Sequence, residues 1–359
     1  MKKKSVYHVI GLMSGTSLDG LDLAYCKFKK GGESWTFELL DAKTISYPSE
    51  TIDLLSRSTV LSGLDLSNLD VLLGKWYSKQ VNAFKGERVV DFIASHGHTV
   101  FHQPENGLTL QIGNGHQIYA ETGIPIICDF RSMDVALGGQ GAPLVPVGDK
   151  YLFSNMDFCL NLGGIANVSF DDTLGVRRAF DIAPCNMLLN YLANKNGQLY
   201  DTDGKLAASG QPIPSLLDKW NSLGYYQLGY PKSLGYEWVH KHYFDGLNVS
   251  NYKLEDLIHT SVRHIAQQIA ASIIQNKLDS NTSLLVTGGG AKNSYLMSCL
   301  KTSLNGEVGI IIPEDDIIDY KEAIVFAFLG VLKINNLPNC LASVTGAKQN
   351  SSSGVQIGF

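Results

Sequence analysis

Hydroxyl, carboxyl and glycine residues are concentrated in one short segment near the start of the chain. Residues 14–20 read SGTSLDG, and they separate two apolar runs rich in Val, Ile, Leu and Tyr. A β-hairpin needs only two to five turn residues, so this segment is longer and more polar than a simple reversal requires. The hydroxyls of Ser14, Thr16 and Ser17 can donate to phosphate oxygens. The segment therefore predicts a turn that holds a ligand.

Two further glycine-rich turns follow apolar runs, at residues 163–164 and 288–290. Glycine allows a positive φ and lets backbone N–H groups come close to an anion. Where a helix follows, as after Gly290, its N-terminus adds partial positive charge. A tight structural turn is the simpler interpretation of any one of them, but three such turns at predicted strand ends favour nucleotide binding.

The commonest phosphate-binding and nucleophile motifs are absent from the sequence. There is no GxxxxGKS/T P-loop, and no GxGxxG follows the first predicted strand. GTSLDG is not a GxSxG nucleophile elbow, because Asp19 stands where the second glycine belongs. Any phosphate is therefore held in another way, such as between two duplicated domains.

The elements around these turns repeat. Strands predicted over 5–13, 21–28 and 34–47 enclose the first turn, and the same order of strand, glycine-rich turn, strand and strand recurs at 157–183. This indicates an internal duplication with one copy per domain. Further strands are predicted in RVVDFIAS, LTLQIGNG, PIICDF and SLLVT. Helices are predicted around 50–60, 68–85, 116–122 and 260–278, near Asn293, and from about 320. HGHTVFHQPENG is predicted to be a loop, and QNSSSGV a poorly ordered tail.

Composition narrows the functional classes. At 359 residues two domains are expected. A net charge of -5, with no basic run beyond Lys2, Lys3 and Lys4, argues against nucleic acid or an anionic membrane as a partner. No window approaches eighteen apolar residues. Six dispersed cysteines without a CxxC pair favour a reducing cytoplasm over a zinc site or disulfide framework.

A set of motifs, in order, resembles the anhydro-N-acetylmuramic acid kinase family. They are IGLMSGTSLDGLDLA, SHGHTVFHQP, LQIGNG, CDFR, GGQGAPLVP, NLGGIANVS and VTGGGAKN, spanning residues 10 to about 330. The resemblance implies an α/β fold of two duplicated ribonuclease H-like domains, of the actin and hexokinase type, with ATP and substrate in the cleft between them. Domain I would cover 1–127, with the tail 341–359 packed against it, and domain II would cover 128–340.

The same resemblance implies an activity. Family members use ATP and water to convert 1,6-anhydro-N-acetylmuramic acid into N-acetylmuramic acid 6-phosphate during cell-wall recycling, with Mg²⁺ on the phosphates. The expected partners are this small sugar and ATP, and the expected assembly is a homodimer.

The family's catalytic residues match two acids here. Asp181 in RAFDIAPCN corresponds to the base that takes a proton from the water added at C1. Glu322 in YKEAIVFAF corresponds to a glutamate that helps to hold this water; its alternative role is an acidic residue at a helix N-terminus.

Substrate-binding residues are implied at Ser14, His98, Arg131 and Asn186. Arg131 suits the lactyl carboxylate because a guanidinium binds carboxylates bidentately; a salt bridge across the hinge is the alternative. For His96, His98 and His102, contacts to sugar hydroxyls or loop packing are favoured over zinc.

ATP-binding residues are implied in all three turns. They are Gly15, Thr16, Ser17, Leu18, Asp19, Gly20, Leu21 and Asp22 in the first, Asn161, Gly163 and Gly164 in the second, and Gly288, Gly289, Gly290 and Asn293 in the third. Asp19 and Asp22 are expected to hold Mg²⁺ directly or through water, with turn-capping carboxylates as the alternative.

One segment departs from the family pattern. After the aspartate the family reads Thr-Gly-Pro-Gly-Asn, whereas residues 182–186 read IAPCN. A kinase of another sugar or small acid on the same fold therefore stays open. An ATP-driven chaperone or filament module is disfavoured, because the chain has no large partner-binding appendage. Cys185 is expected to be a small buried side chain rather than a nucleophile.

Overall fold

A computed structural model describes residues 4–32, 34–245, 247, 249–278 and 281–359. They form two compact units. Unit 1 comprises Met1–Leu152 and Tyr320–Phe359, and unit 2 comprises Phe153–Asp319. Among the described residues, no helix is long and apolar enough to cross a membrane.

The strands of the described residues are, in chain order, β1 (Val6–Ser14), β2 (Leu21–Gly31), β3 (Ser34–Ile45), β4 (Phe92–Gln103), β5 (Leu108–Ile112), β6 (Ile126–Cys128), β7 (Phe158–Leu162), β8 (Ile165–Asp171), β9 (Arg177–Pro184), β10 (Thr282–Thr287), β11 (Val308–Ile311) and β12 (Val355–Ile357).

The helices are α1 (Ser49–Ser56), α2 (Gly63–Lys85), α3 (Gly115–Thr122), α4 (Ser132–Ala136), α5 (Val145–Leu152), α6 (Asn186–Asn194), α7 (Lys205–Ser209), α8 (Pro214–Asn221), α9 (Tyr236–Val239), α10 (Leu254–Asn276), α11 (Ser294–Ser303), α12 (Asp315–Ile334) and α13 (Ala342–Thr345).

The two sheets share one topology. In unit 1 the order is β3-β2-β1-β4-β6-β12, with β5 paired to β4; in unit 2 it is β9-β8-β7-β10-β11. In each, the first three strands form an antiparallel meander. A fourth strand (β4 or β10) pairs in parallel with the first strand of the meander, and a further parallel strand (β6 or β11) pairs with that fourth strand. The predicted duplication and the fold of two ribonuclease H-like domains are therefore confirmed.

Apolar side chains explain where each core lies. β1 is buried along nearly its whole length, as expected for a central strand covered on both faces. In unit 2, α10 buries one face of small and branched residues, including Val262, Ile265 and Ile269, in the core that β7–β10 also line. The spacing of 3.6 residues that predicted this helix from the sequence is therefore also the spacing of its buried residues.

The domain boundaries lie elsewhere than predicted. The structure changes unit after Leu152 and again after Asp319, rather than after 127 and 340. β6 at the expected boundary belongs inside the first sheet, where it pairs with β4 and β12. The residues that follow it, through α5, stay with unit 1. So does most of α12, whose Gly330 packs against Phe92 of β4.

Two expectations about local order are wrong. The predicted loop from His96 onward is mostly strand, since β4 runs to Gln103 and pairs with β5. The tail segment 349–355 is held in place: Asn339 exchanges hydrogen bonds with Ser353 at 3.0 and 2.7 Å, and Ser353 is fully buried. The tail then continues as β12, paired with β6 of unit 1.

Candidate active site

The first turn connects β1 to β2 and presents two of its three hydroxyls to solvent, while that of Ser14 is buried. Thr16 and Ser17 are exposed, and Leu18 has a φ of +62°, a region that non-glycine residues rarely adopt. Leu21 is instead fully buried in the core of unit 1. Of the residues predicted here for ATP, Leu21 can therefore offer only backbone groups.

The two acids of this turn differ in setting. Asp19 is exposed, whereas Asp22 lies on β2, where Thr44 Oγ1 of β3 donates to Asp22 Oδ1 at 2.6 Å. Asp22 is thus bonded across strands, and the turn-capping alternative does not describe it. Among the described residues no group of three or more His, Cys, Asp or Glu side chains could hold a metal ion. Two carboxylates suit a largely hydrated Mg²⁺, which takes few protein ligands.

A bulge in β4 places His98 beside Ser14. Leu12 pairs with Ser95 and Ser14 pairs with His98, so β4 carries one residue more than β1 between these pairs. Gly97 makes this possible: its φ is +77°, and a Cβ there would lie 2.7 Å from the carbonyl oxygen of Ile112. Ser14 Oγ and His98 Nδ1 are 3.0 Å apart, and both side chains are buried.

Arg131 is held at the start of α4. Its Nε donates to His96 Nε2 at 2.9 Å, and its Nη1 donates to the carbonyl oxygen of Gly141 at 2.6 Å. These bonds use two of the five guanidinium N–H donors of Arg131, so the other three are not engaged by them. Burial lowers the pKa of Arg131, while the charge of Glu322 opposes this shift.

Glu322 lies in the third turn of α12, because this helix begins at Asp315 and not near 320. The interpretation of Glu322 as a helix N-terminal charge is therefore wrong; Asp315 and Asp316 occupy that position. The side chain reaches solvent, yet surrounding protein desolvates its carboxyl group enough to raise the pKa, and Arg131 counteracts this.

Several of the sequence motifs converge on one cavity of about 150 Å³ in unit 1. Ser95 to Gly97, Gln111 to Gly115 and Asp129 line it. Ser95 Oγ is buried there without a hydrogen-bond partner, and Asp129 has a φ of +56°. The lining includes the polar side chains of His96, Gln111, Asn114 and Asp129, so this cavity is suited to polar atoms of a ligand.

In unit 2 the second and third glycine turns lie side by side. Asn161 of β7 pairs with Thr287 of β10 in parallel, so both turns follow the carboxyl ends of neighbouring strands. Gly288 has a φ of +81°, and a Cβ on it would lie 2.5 Å from Asn161 Oδ1. Gly290 is similarly close to Leu162. The backbone of the third turn thus approaches the second as closely as glycine permits.

Two asparagines of the predicted site have structural partners. Asn186 Nδ2 donates to the carbonyl oxygen of Leu162 at 2.9 Å, beside the Gly163 and Gly164 turn. Asn293 Oδ1 accepts from the backbone N–H of Leu296 at 2.9 Å and caps α11. The Asn293 cap orients the helix N-terminus that follows the glycines.

Asp181 lies within β9, three residues before its end. The backbone N–H of Leu234 donates to Asp181 Oδ2 at 2.9 Å, and Tyr225 donates its hydroxyl to the Asp181 carbonyl oxygen at 2.6 Å. Burial raises the pKa of Asp181, and the bond from Leu234 opposes this shift. A carboxylate with a raised pKa and a fixed orientation is suited to general base catalysis.

The segment that departs from the family pattern belongs to the core. Ile182, Ala183 and Cys185 are all buried in the core of unit 2. The backbone N–H of Cys185 donates to the Gly164 carbonyl oxygen at 2.8 Å, which joins this segment to the second glycine turn. Burial raises the pKa of the Cys185 thiol to about 12, in keeping with the predicted buried, unreactive cysteine.

Sequence reasoning missed the residues that surround Asp181 and Ser14. Lys232 lies with its Nζ 4.7 Å from the ring centroid of Tyr225 and 5.4 Å from that of Phe180, and its carbonyl oxygen accepts from the Asp181 backbone N–H. Tyr47 donates its hydroxyl to Ser14 Oγ, and the hydroxyls of Tyr47 and Tyr77 are hydrogen-bonded to each other. No local pattern marks these residues, because their partners are about 30 to 50 positions away.

The duplicated fold, with glycine turns at corresponding strand ends and an oriented acid on β9, is an arrangement suited to phosphoryl transfer. Comparison of sequences identifies the family. The anhydro-N-acetylmuramic acid kinase family model matches residues 7–358. The kinase of that name from Haemophilus influenzae is 36% identical, covering 97% of this chain and 97% of that protein. The one from Sulfurimonas denitrificans is 35% identical, covering 96% and 98%. The chain belongs to the anhydro-N-acetylmuramic acid kinase family, and it is a kinase.

Proposed function

We propose that this protein is an ATP-dependent kinase that adds water to 1,6-anhydro-N-acetylmuramic acid and phosphorylates it to N-acetylmuramic acid 6-phosphate. The observation that carries the proposal is the setting of Asp181, an oriented carboxylate with a raised pKa, in a chain of this family. The relatives' names supply the substrate.

The reaction balances with one base. Asp181 takes a proton from water as the water oxygen bonds to C1, and the C1–O6 bond breaks with its electron pair on O6. O6 then attacks the γ-phosphorus of ATP, and the bond from that phosphorus to the bridging oxygen breaks to release ADP. Positioning and charge neutralisation supply most of the catalysis in such a transfer.

The remaining residues take supporting roles. Glu322 holds the attacking water, and the outer N–H groups of Arg131 bind the lactyl carboxylate. Ser14, His98 and Asn186 bind sugar oxygens. The residues predicted in the three glycine-rich turns bind ATP through backbone N–H groups and hydroxyls. Asp19 and Asp22 would hold Mg²⁺, which neutralises phosphate charge when bound.

The buried segment 182–185 supports this substrate over another sugar. Had the changed residues faced a ligand, their loss of a hydroxyl and two glycines would alter recognition. Their side chains pack instead into the core of unit 2, which is compatible with the family's substrate. A cytoplasmic homodimer is part of the proposal, and light scattering would detect a mass of two chains.

The test is ADP release with Mg-ATP and 1,6-anhydro-N-acetylmuramic acid, with the product's mass measured in parallel. We expect the hydrated 6-phosphate from the wild type and a loss of roughly 10²–10⁴ in kcat for Asp181→Asn. Asp218→Asn, an exposed acid on α8, is the matched control and should keep full activity. No turnover of this sugar by the folded wild type would contradict the proposed substrate, and full activity of Asp181→Asn would contradict the proposed base.

A further inference from the structure

Four buried side chains of unit 1 form one hydrogen-bonded chain. Tyr77 and Tyr47 hydroxyls are 3.0 Å apart, Tyr47 donates to Ser14 Oγ at 2.7 Å, and Ser14 Oγ lies 3.0 Å from His98 Nδ1. None of the four side chains is more than 4% exposed. The chain connects the core of unit 1 to two residues of the proposed sugar site.

The direction of donation along this chain follows from counting protons. A tyrosine hydroxyl has one proton, and that of Tyr47 goes to Ser14, so Tyr77 must donate to Tyr47. Ser14 Oγ therefore already accepts one bond. His98 Nδ1 lies 3.0 Å from Ser14 Oγ and can accept the Ser14 proton. With Ser14 as the donor to His98, each hydroxyl proton of this hydrogen-bonded chain has an acceptor.

The tautomer of His98 follows. Burial lowers its pKa, so the ring is neutral near pH 7, and a neutral ring whose Nδ1 accepts carries its proton on Nε2. His96 has the opposite form: Arg131 can only donate, so His96 Nε2 accepts and Nδ1–H donates to the Gly97 carbonyl oxygen at 2.9 Å. Two histidines on one strand are thus set to different tautomers by different partners.

We propose that Tyr47 and Tyr77 are positioning residues that hold His98 in the Nε2–H tautomer, so that this N–H donates to an uncharged oxygen of the sugar. Nε2 has no protein partner among the described residues, whereas Nδ1 is occupied by Ser14. Every member of this hydrogen-bonded chain is neutral, so the His98 Nε2–H is a single uncharged donor that a hydroxyl, ether or carbonyl oxygen of the sugar can accept from. This inference rests on the proposed function for its ligand, but the tautomer itself does not.

The tautomer is measured by long-range ¹H–¹⁵N correlation on protein labelled with ¹⁵N-histidine. His98→Gln and His96→Gln assign the signals. We expect His98 to show a protonated Nε2 and an unprotonated Nδ1, and His96 the reverse. In Tyr47→Phe the His98 signals should move toward a tautomer mixture while those of His96 stay. A protonated Nδ1 on wild-type His98, or no change in Tyr47→Phe, would overturn the assignment.

Kinetics test the contact to the sugar. Tyr47→Phe and Tyr77→Phe should raise the KM for the sugar, about tenfold for Tyr47→Phe, the value of one hydrogen bond, while the KM for ATP stays unchanged. Tyr7→Phe is the matched control, a buried tyrosine of the same unit whose hydroxyl bonds elsewhere, to Asn335. An unchanged sugar KM, with the tautomer shifted, would refute the sugar contact alone. A wild type that does not turn over the sugar would refute the proposed function, and the spectra would still test the tautomer.

Discussion

At the scale of single residues, the environment of Asp181 sets the pH range in which it can act as a base. Its carboxyl group is largely desolvated, and its one stabilising bond from a backbone N–H, that of Leu234, does not offset this, so the pKa lies above the ordinary value of 3.8. A base must be deprotonated to accept a proton. Activity should therefore fall, as pH decreases, at a higher pH than an ordinary aspartate would give.

The pH dependence of kcat/KM tests this directly. We expect an acid limb above pH 3.8, and we expect Asp181→Glu to move it. Glu322 also has a raised pKa, so Glu322→Gln is the necessary control: its kcat should fall while the acid limb keeps its position. If the limb vanished in Glu322→Gln, the titrating group would be Glu322 and not Asp181. Circular dichroism at each pH separates titration from unfolding.

At the scale of elements, the glycine turn between β10 and α11 depends on two separate properties of Gly288. One is its positive φ, and the other is its close approach to Asn161 and the backbone of Leu162. Gly175, in the β8–β9 hairpin, has a similar φ of +70°, but a Cβ added to it would meet no atom within 4 Å. Substitutions at Gly288 and Gly175 can therefore be compared to separate the effect of backbone strain from that of losing the close approach.

Replacing each glycine with alanine should give different results. Gly175→Ala should lose about 1 kcal/mol or somewhat more of the free energy of unfolding, because alanine is strained at positive φ. Gly288→Ala should lose more, because its Cβ would also lie 2.5 Å from Asn161 Oδ1. Only Gly288→Ala should also weaken binding of a non-hydrolysable ATP analogue with Mg²⁺, by about tenfold or more, since its turn must move. Urea unfolding and calorimetry measure the two effects. Equal nucleotide affinity in the two variants would remove the third turn from the ATP site.

At the scale of the whole molecule, the first and last parts of the chain build one unit. β12 supplies an edge strand to β6, with Ile357 opposite Ile126, and Asp134 accepts from Thr345 Oγ1 at 2.8 Å while fully buried. Unit 2 lies between these two parts in sequence and has its own core. Loss of the C-terminus should therefore damage unit 1 selectively.

Removing residues 355–359 should lower the free energy of unfolding by roughly 1–3 kcal/mol. Hydrogen exchange should become faster at the amides of β4 and β6 and stay unchanged at β7–β11. Gln356→Ala is the control, because this exposed side chain can be removed while the strand's backbone pairing remains. Faster exchange throughout unit 2 would show that its stability depends on the tail.

Much of this arrangement was accessible from the sequence, and the failures have physical causes. The three turns, the duplicated meander and α10 were predicted because each has a local signal: glycine between apolar runs, or a period of 3.6. β4 was missed beyond Ser95 because its histidines and Gly97 look like a loop, and only its pairing with β5 makes this segment a strand. The start of α12 was missed although Asp315 and Asp316 mark a helix N-terminus.

The amino-acid order alone was enough to establish the family, the repeated strand order and the residues whose chemistry can move a phosphoryl group. These are properties of short segments and of the order of those segments, so they can be recognised without knowing which segments are in contact. Tertiary structure decided which partners His96 and His98 meet, how Asp181 is oriented, and that the tail completes the first sheet. Each of these depends on hydrogen bonds between residues far apart in the chain, and such bonds are formed only once the backbone has folded.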